Sequence, residues 1–541
     1  MFTQLKNAFN KVSLSANQLI LVVTFYFIAL FNQPLLSLAF ERIYALDTVD
    51  TIFAATLPIF FFAFHIIVFS LFSIKYVIKP VLVALTIISS LVYYGTTTYG
   101  VVFDYSMMVN VIETDNAEAF AYLNLNFVLF FLFSGIIPAV LIAMVNVRYN
   151  SIGKEVIARM LLVVCALATI SSIAFLYYSD YASFFRNNRE LRKYAIPLQY
   201  IDATRLVLND RYFTEPREFE TLDPAPVLTT KNDEHKNVVV LVLGETARAM
   251  NFSYNGYSKD TNEFTRKFSP TSFQKVTSCG TATAESVPCM FSKLDRKNFD
   301  KADATHQQNV LDIAQLSGVD VLWVNNNSGC KDVCNRVETI NLSKDKSHPL
   351  CDGGYCFDEI LLEPLEAKLN NLTEQTTLVV LHMIGSHGPT YYRRYPSEYR
   401  RFLPECPQSD IQNCSQESLI NTYDNTLLYT DLVLSKVIEQ LQGLPGNVNT
   451  SMLYVSDHGE SLGESGAYLH GFPYAFAPKE QIEIPMIFWT SNNQQQIDKT
   501  CLADTANASV LSHDNLFSSL LGLLNVSSTT YEKHKDVFNC Q

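Results

Sequence analysis

The sequence predicts a two-part protein: an α-helical membrane domain of five transmembrane helices, then a soluble α/β domain on a mainly parallel central sheet. Three observations carry this. The apolar residues of the 541-residue chain crowd into its first third, in five runs long enough to span a bilayer, which takes about 20 residues. From Asn237 onward, short β-branched runs alternate with helical periodicity, the pattern of a parallel sheet with crossover helices. Ten of the 11 cysteines lie after residue 278, which suits an oxidising compartment.

The five apolar runs are Gln18–Ala39, Thr51–Ser73, Pro80–Tyr99, Leu125–Val147 and Ala158–Tyr178. Together they leave too little polar surface for buried helices of a soluble domain. The first is too long for a cleaved leader and lacks a small-residue cleavage site. Lys6, Lys11, Lys75, Lys79, Arg148, Lys154 and Arg159 flank one end of the spans. The opposite loops carry Glu41, Arg42, Asp47 and Asp50, then Asp104, Glu113, Asp115 and Glu118. The excess of Lys and Arg puts the N-terminus in the cytoplasm. An odd number of spans then places everything after Tyr178 outside, in agreement with the cysteines. The expected domains are residues 1–178 for the membrane, 179–234 for an interfacial helix and linker, and 235–541 for the soluble domain. Tyr177–Phe213 mixes aromatic and basic side chains, as a helix in the headgroup region does. Pro216–Glu234 has no apolar period and reads as the linker. The net charge of −13 offers no basic face for a nucleic acid.

In the soluble domain, strands are expected at Asn237–Leu243, Val319–Val324, Thr377–Leu381, Met452–Val455 and Ile484–Trp489. Helices are expected at Asn309–Leu316 and Leu419–Leu441, the second with Leu427, Leu434, Ile438 and Leu441 on one stripe. Sites in such folds form at the carboxyl ends of the strands. Four ends carry polar side chains. They are Gly244-Glu245-Thr246, Asn325 to Ser328, His382 leading to Ser386-His387-Gly388, and Ser456-Asp457-His458-Gly459-Glu460. Any one of these could be a solvated loop, but four together point to a site. His470 follows in the next loop.

In the segment Thr277–Phe291 a pair of cysteines, Cys279 and Cys289, brackets two threonines, Thr281 and Thr283. A threonine is a weak nucleophile until something activates it. Glu245, Asp457 and His458 supply three ligands of the kind zinc takes, and Thr283 is the expected fourth. Thr281 is its rival, and spacing alone does not choose between them. A Cys279–Cys289 bond would stiffen the segment. His387 and His470 either hold a second zinc or stabilise a phosphoryl group and its leaving group. Cys330/Cys334 and Cys351/Cys356 have spacings a structural zinc could use, but the chain has no Cys-x-x-Cys pair.

Gly244–Arg248, Ser278–Phe291, Gly385-Ser386-His387-Gly388-Pro389 and Ser456–Gly463 together resemble the phosphoethanolamine–lipid A transferases. These are Gram-negative inner-membrane enzymes that include the mobile colistin-resistance type. They belong to the wider alkaline-phosphatase-like and sulfatase-like superfamily, which Asp-His-Gly-Glu alone would indicate. The resemblance spans essentially the whole chain. It implies a zinc-dependent phosphotransferase, acting as a monomer, that moves phosphoethanolamine from phosphatidylethanolamine onto a threonine and then onto a lipid A phosphate. By motif position that threonine is Thr283. Glu245, Asp457 and His458 match the zinc ligands, and His387 and His470 the accessory histidines. Asn110, Thr114 and Glu118 in the outer loop, with Ser328 and Lys331, match positions that approach the substrate. The cysteines fit the pairs Cys279–Cys289, Cys330–Cys334, Cys351–Cys356 and Cys406–Cys414, leaving Cys501 for Cys540. Adding an ethanolamine cation weakens the attraction of cationic peptides, so polymyxin resistance is the implied phenotype.

Three other readings compete. A sulfatase would carry Cys/Ser-x-Pro-x-Arg, which is absent around Thr283. A glycerol-phosphate polymerase, or another phosphotransferase or hydrolase of the superfamily, would use a different acceptor. A silent membrane sensor would have no need of an intact set of Glu245, Thr283, Asp457 and His458.

Overall fold

The structure, a computed structural model, describes residues 13–45, 51–114, 116–213, 217–229, 235–342, 346–491 and 497–539. It forms two units, one of residues 1–105 with 124–206 and the other of 106–123 with 207–541.

In the first unit, α1 (Ala16–Phe31) and α2 (Gln33–Tyr44) meet at 59°. The expected first span is therefore a bent pair; among the described residues four helices are long and apolar enough to cross a membrane, and five if this pair is one span. Pro34 opens α2, and the buried Asn32 side chain at the break donates to the carbonyls of Phe27 (3.1 Å) and Ile196 (2.7 Å). A broken ladder inside an apolar environment needs such side-chain substitutes. The other spans are α3 (Thr51–Leu71), α4 (Ile78–Tyr99), α5 (Leu125–Met144) and α6 (Ile152–Asn187), each with an apolar stretch long enough to cross a membrane. In the most apolar window of α6 only 11% of residues are buried. Val156, Leu161, Val164 and Phe175 face outward there, an exposure suited to lipid and costly in water. Phe27, Phe31, Phe69 and Leu82 pack one inner cluster; Leu35, Phe53, Leu57 and Phe184 pack another. Ser13–Ser15 pairs in parallel with Asn146–Arg148 at the basic end.

The second unit is built on a seven-stranded sheet. Its strands are β1 (Lys236–Gly244), β2 (Thr271–Phe273), β3 (Asp320–Asn325), β4 (Glu338–Asn341), β5 (Thr376–His382), β6 (Val448–Ser456) and β7 (Met486–Thr490), in the order β2-β7-β6-β1-β5-β3-β4. The run from β6 to β4 is parallel, while β7 is antiparallel to both its neighbours. β1 is central and its residues Val238–Leu243 are 0–1% exposed, which explains its unbroken apolar sequence. The helices that frame the site are α7 (Thr283–Phe291), α8 (Val310–Ser317) and α9 (Gln416–Gln442). Phe291 of α7 packs on Trp323 of β3, ring centroids 5.5 Å apart. The stretch read as a linker is ordered where described. Val227–Leu228 pairs with Val526–Ser527, and buried Asp223 accepts from Ser528 Oγ (2.7 Å) and Thr529 N (2.8 Å).

Beside its leucine stripe, α9 buries carboxylates that grip the loop after β1. Asp424 accepts from Asn251 Nδ2 (2.6 Å), Tyr257 Oη (2.9 Å) and Lys259 Nζ (2.7 Å). Asp431 accepts from the backbone N–H groups of Phe264 (2.7 Å) and Thr265 (3.1 Å) and from the Thr265 hydroxyl. Removing that acceptor leaves buried donors unpaired, so Asp431→Ala is expected to cost about 3 kcal/mol, read as a lowered unfolding midpoint. Burial raises the Asp431 carboxyl to about 6 from 3.8, against the pull of its hydrogen bonds. The native state therefore holds an extra proton between those two values. The stability Asp431 adds is full below the lower one and falls as pH rises through the upper. Asp431→Asn is expected to flatten that pH dependence in thermal unfolding.

Candidate active site and metal centre

The register of the sheet builds the site. Gly244 at the end of β1 pairs with Ser456 at the end of β6, so Glu245 and Asp457 leave the sheet side by side. The Asp457 N–H donates to the Gly244 carbonyl (3.0 Å). A Cβ on Gly244 would sit 2.6 Å from the Tyr454 ring, so only glycine allows this approach. Gly385 brings the next loop against Glu245. Its φ of +49° lies in the left-handed region, and a Cβ there would meet the Glu245 carbonyl at 2.6 Å.

Ligand atoms of Glu245, Asp457 and His458 lie within 4.8 Å of one another, all buried. His458 Nδ1–H donates to the Gly459 carbonyl (2.8 Å), which leaves Nε2 3.4 Å from both Glu245 Oε1 and Asp457 Oδ2. Fixing a ligand histidine through its other nitrogen is the usual second support of a metal site. Asp457 Oδ1 accepts the N–H groups of Thr246 (3.1 Å) and His458 (2.7 Å), but Oδ2 is buried without a hydrogen-bond partner. A buried carboxylate oxygen without a hydrogen bond is costly, and a metal ion between it, Glu245 and His458 Nε2 would satisfy it. The donor set fits zinc. Burial would raise the Glu245 carboxyl, yet His458 holds it well below the usual range. Burial also raises Asp457, with Glu245 adding to it. Burial works to lower His458, but Asp457 and Glu245 carry it up to about 10.

Thr283 is the first residue of α7, where the helix has no side-chain cap and its free N–H groups favour an anion. Its hydroxyl donates to Glu245 Oε1 (3.2 Å) and Oε2 (3.1 Å) and lies 3.4 Å from His458 Nε2. The Thr281 hydroxyl instead donates to the Phe472 carbonyl (2.5 Å). The Cys279–Cys289 disulfide joins the preceding loop to α7. His387 and His470 stand with ring centroids 5.4 Å apart, and His470 lies 4.4 Å from His458. Burial holds His470 well below the usual imidazole range. Among the described residues the group of candidate metal ligands is Glu245, Asp457 and His458, with the His387–His470 pair outside it.

Lys331 Nζ donates to Ser328 Oγ (3.1 Å) and lies 3.8 Å from Glu113, which also pairs with Lys301 (2.5 Å). Ser106 Oγ donates to Glu285 of α7 (3.1 Å). Ser106 and Glu113, both on the helix Tyr105–Glu113, thus bond to α7 and to the Lys331 loop. Thr114 Oγ1 bonds back to the Asn110 carbonyl (2.8 Å), so the two expected loop residues touch each other. The Glu118 side chain lies outside the described residues. Cys330–Cys334, Cys351–Cys356 and Cys406–Cys414 are bonded. Cys501 is in a disulfide, and its expected partner, Cys540, lies outside the described residues.

Several positioning residues escape a reading of the sequence. Asn327 donates to Glu245 Oε2 (2.8 Å) and to the Met383 carbonyl (2.8 Å); its only signal is a polar run at a strand end. Buried Asp358 accepts the N–H groups of Ile384 and Gly385 (both 2.9 Å), fastening the loop that carries His387. His513 Nδ1 accepts from Cys279 N (3.0 Å) while Nε2–H donates to the Ser456 carbonyl (2.9 Å). It ties β6 to the Cys279 loop that leads into α7, as a neutral ring lowered to about 4 by burial.

Comparison with known proteins decides the family. Residues 61–212 match the family described as phosphoethanolamine transferase EptA/EptB, and residues 237–526 match the sulfatase family. The phosphoethanolamine transferase EptA of Escherichia coli K12 is 39% identical over 545 residues, covering 98% of each chain. This chain belongs to the phosphoethanolamine transferases. The family relationship extends to the phosphatidylethanolamine transferase Mcr-1 of E. coli, 39% identical over 90% of each chain. The solved lipooligosaccharide phosphoethanolamine transferase A of Neisseria meningitidis superposes on this family member with a TM-score of 0.93, at 38% identity over 98% of this chain and 99% of that one. The predicted fold, apolar helices followed by an α/β domain with a mostly parallel sheet, is the fold of that transferase.

Proposed function

We propose that the protein transfers phosphoethanolamine from phosphatidylethanolamine to a lipid A phosphate, through a covalent intermediate on Thr283. The observation that carries this is the placement of the Thr283 hydroxyl, at an uncapped helix N-terminus and 3.1–3.2 Å from both Glu245 oxygens. Thr281, its rival, spends its hydroxyl on a backbone carbonyl. Glu245, Asp457 and His458 would hold zinc, with Thr283 as fourth donor. When bound, zinc supplies the positive charge that lowers the hydroxyl's pKa and offsets the phosphate's charge. In the first half-reaction Thr283 Oγ1 attacks the donor phosphorus and the phosphorus–oxygen bond to diacylglycerol breaks. Thr283 loses its proton and the diacylglycerol oxygen gains one. We assign that proton in passage to His387 and His470, of which His470 lies 4.4 Å from His458 between ring centroids. In the second half a hydroxyl oxygen of the lipid A phosphate attacks the same phosphorus, the ester bond to Thr283 breaks, and the proton the acceptor gives up goes to Thr283 Oγ1. Asn110, Thr114, Glu118, Ser328 and Lys331 are assigned to the donor headgroup, Lys331 as the cation for its phosphate.

The enzyme would work as a monomer in the bacterial inner membrane, with its N-terminus in the cytoplasm and residues 235–541 in the periplasm. The product carries an added cation, so cells would bind polymyxins less and resist them. The test is purified protein with phosphatidylethanolamine and lipid A. Zinc-dependent release of diacylglycerol, matched by lipid A gaining one phosphoethanolamine, is the expected result. Diacylglycerol release with unmodified lipid A would overturn the acceptor.

A further inference from the structure

A cavity of about 850 Å³ opens at the basic end of the first unit, between the turn that joins α3 to α4 and the chain leaving α5. Its polar lining is Lys75, Tyr76, Lys79, Asn146 and Tyr149, with no acidic residue among them. Lys75 Nζ lies 5.0 Å from the Tyr76 ring centroid and 5.9 Å from that of Tyr149, held between two aromatic faces. Tyr76, an exposed residue, takes a φ of 73°, in the left-handed region, as the chain turns from α3 to α4. Lys79 Nζ reaches across to the Val145 carbonyl at the end of α5 (3.0 Å). Neither lysine has a carboxylate partner among the described residues. Glu155, the nearby acid, is committed to Arg159 (3.1 Å) and to the Asn150 N–H (2.7 Å).

The wall opposite the lysines is built. Asn146–Arg148 pairs with Ser13–Ser15, and the Arg148 guanidinium donates to the Ser13 carbonyl (3.2 Å). The 22-residue helix α4 starts at the cavity. Leu71, Ile74, Tyr76 and Val77 are exposed around the turn. Apolar and aromatic exposure between two spanning helices places this turn at the depth of the lipid headgroups.

We infer that this cavity binds the headgroup phosphate of an anionic glycerophospholipid, phosphatidylglycerol being the simplest of that class. Lys75 and Lys79 take the phosphate, the two tyrosines flank it, and the acyl chains lie along the exposed apolar side chains of the turn. The site belongs to the membrane unit alone and stands whether or not the transferase reading does.

The test is native mass spectrometry of the full chain from nanodiscs of equal phosphatidylcholine and phosphatidylglycerol. The wild type is expected to retain one phosphatidylglycerol per chain, enriched about tenfold over the bulk. Lys75→Gln with Lys79→Gln should bring the retained lipid to the bulk ratio, while Lys154→Gln, an exposed charge outside the cavity, should leave it unchanged. Excess inorganic phosphate should not displace the lipid. No enrichment in the wild type, which needs no variant, would overturn the proposal. So would an equal loss in Lys154→Gln, which would mean binding by general charge, or displacement by free phosphate, which would mean a site for a soluble anion.

Discussion

Thr283→Ala loses transfer activity by about 10⁴-fold or more, because removing a nucleophile removes the covalent route altogether. The fold is expected to survive. The lost hydroxyl makes its hydrogen bonds to Glu245 and His458, and both keep other anchors, Asn327 and the Gly459 carbonyl. The unfolding midpoint should therefore stay near that of the wild type, separating chemistry from stability. Thr281→Ala tests the rival. Its hydroxyl holds the Phe472 loop, so a moderate loss, about tenfold, is expected through misplacement of neighbouring His470. Diacylglycerol release measured on the two variants side by side checks both outcomes.

The second large effect concerns the metal. Chelation is expected to abolish turnover, and added zinc to restore it. Asp457→Asn removes an anionic ligand and should weaken zinc binding by about 10²-fold or more. The protonation of the metal-free site sets the pH dependence. His458 is raised to about 10 by the carboxylates around it, overcoming burial. Below that pH its ring is charged in the folded, metal-free protein, whereas a metal ligand must be neutral. Binding zinc therefore expels at least one proton, and affinity rises with pH, about tenfold per unit for each proton displaced. Calorimetry across the neutral range, in buffers of different ionisation enthalpy, counts those protons. A flat affinity would contradict the ligand assignment.

The strands of the soluble unit are legible because parallel strands buried on both faces leave unbroken apolar runs. Their ends are legible because polar residues follow at once, at Glu245, Asn325 and Asp457. What joins those ends is not local. The register that sets Gly244 beside Ser456 is a pairing between strands more than 200 residues apart. Thr281 and Thr283 look alike in the sequence, and the partner that distinguishes Thr281 is the Phe472 carbonyl, 191 residues on. His513 carries no signal in the sequence; what marks it is that its two nitrogens bond Cys279 and Ser456, both distant in the chain. The break in the first span had a local sign in Asn32 and Pro34. Its cause includes Ile196, 164 residues away, whose carbonyl and N–H both bond the Asn32 side chain. Likewise the leucine stripe of α9 is periodic, but Asp424 and Asp431 are buried because a distant loop needs their oxygens.

The covalent step can be observed directly. The purified protein is incubated with phosphatidylethanolamine and zinc in the absence of lipid A, quenched, and mapped by mass spectrometry across the peptide that contains Thr283. One phosphoethanolamine on Thr283, formed with one diacylglycerol and discharged when lipid A is added, is the predicted result. Transfer that proceeds at full rate with Thr283 unmodified, or with the group on Thr281, would contradict it.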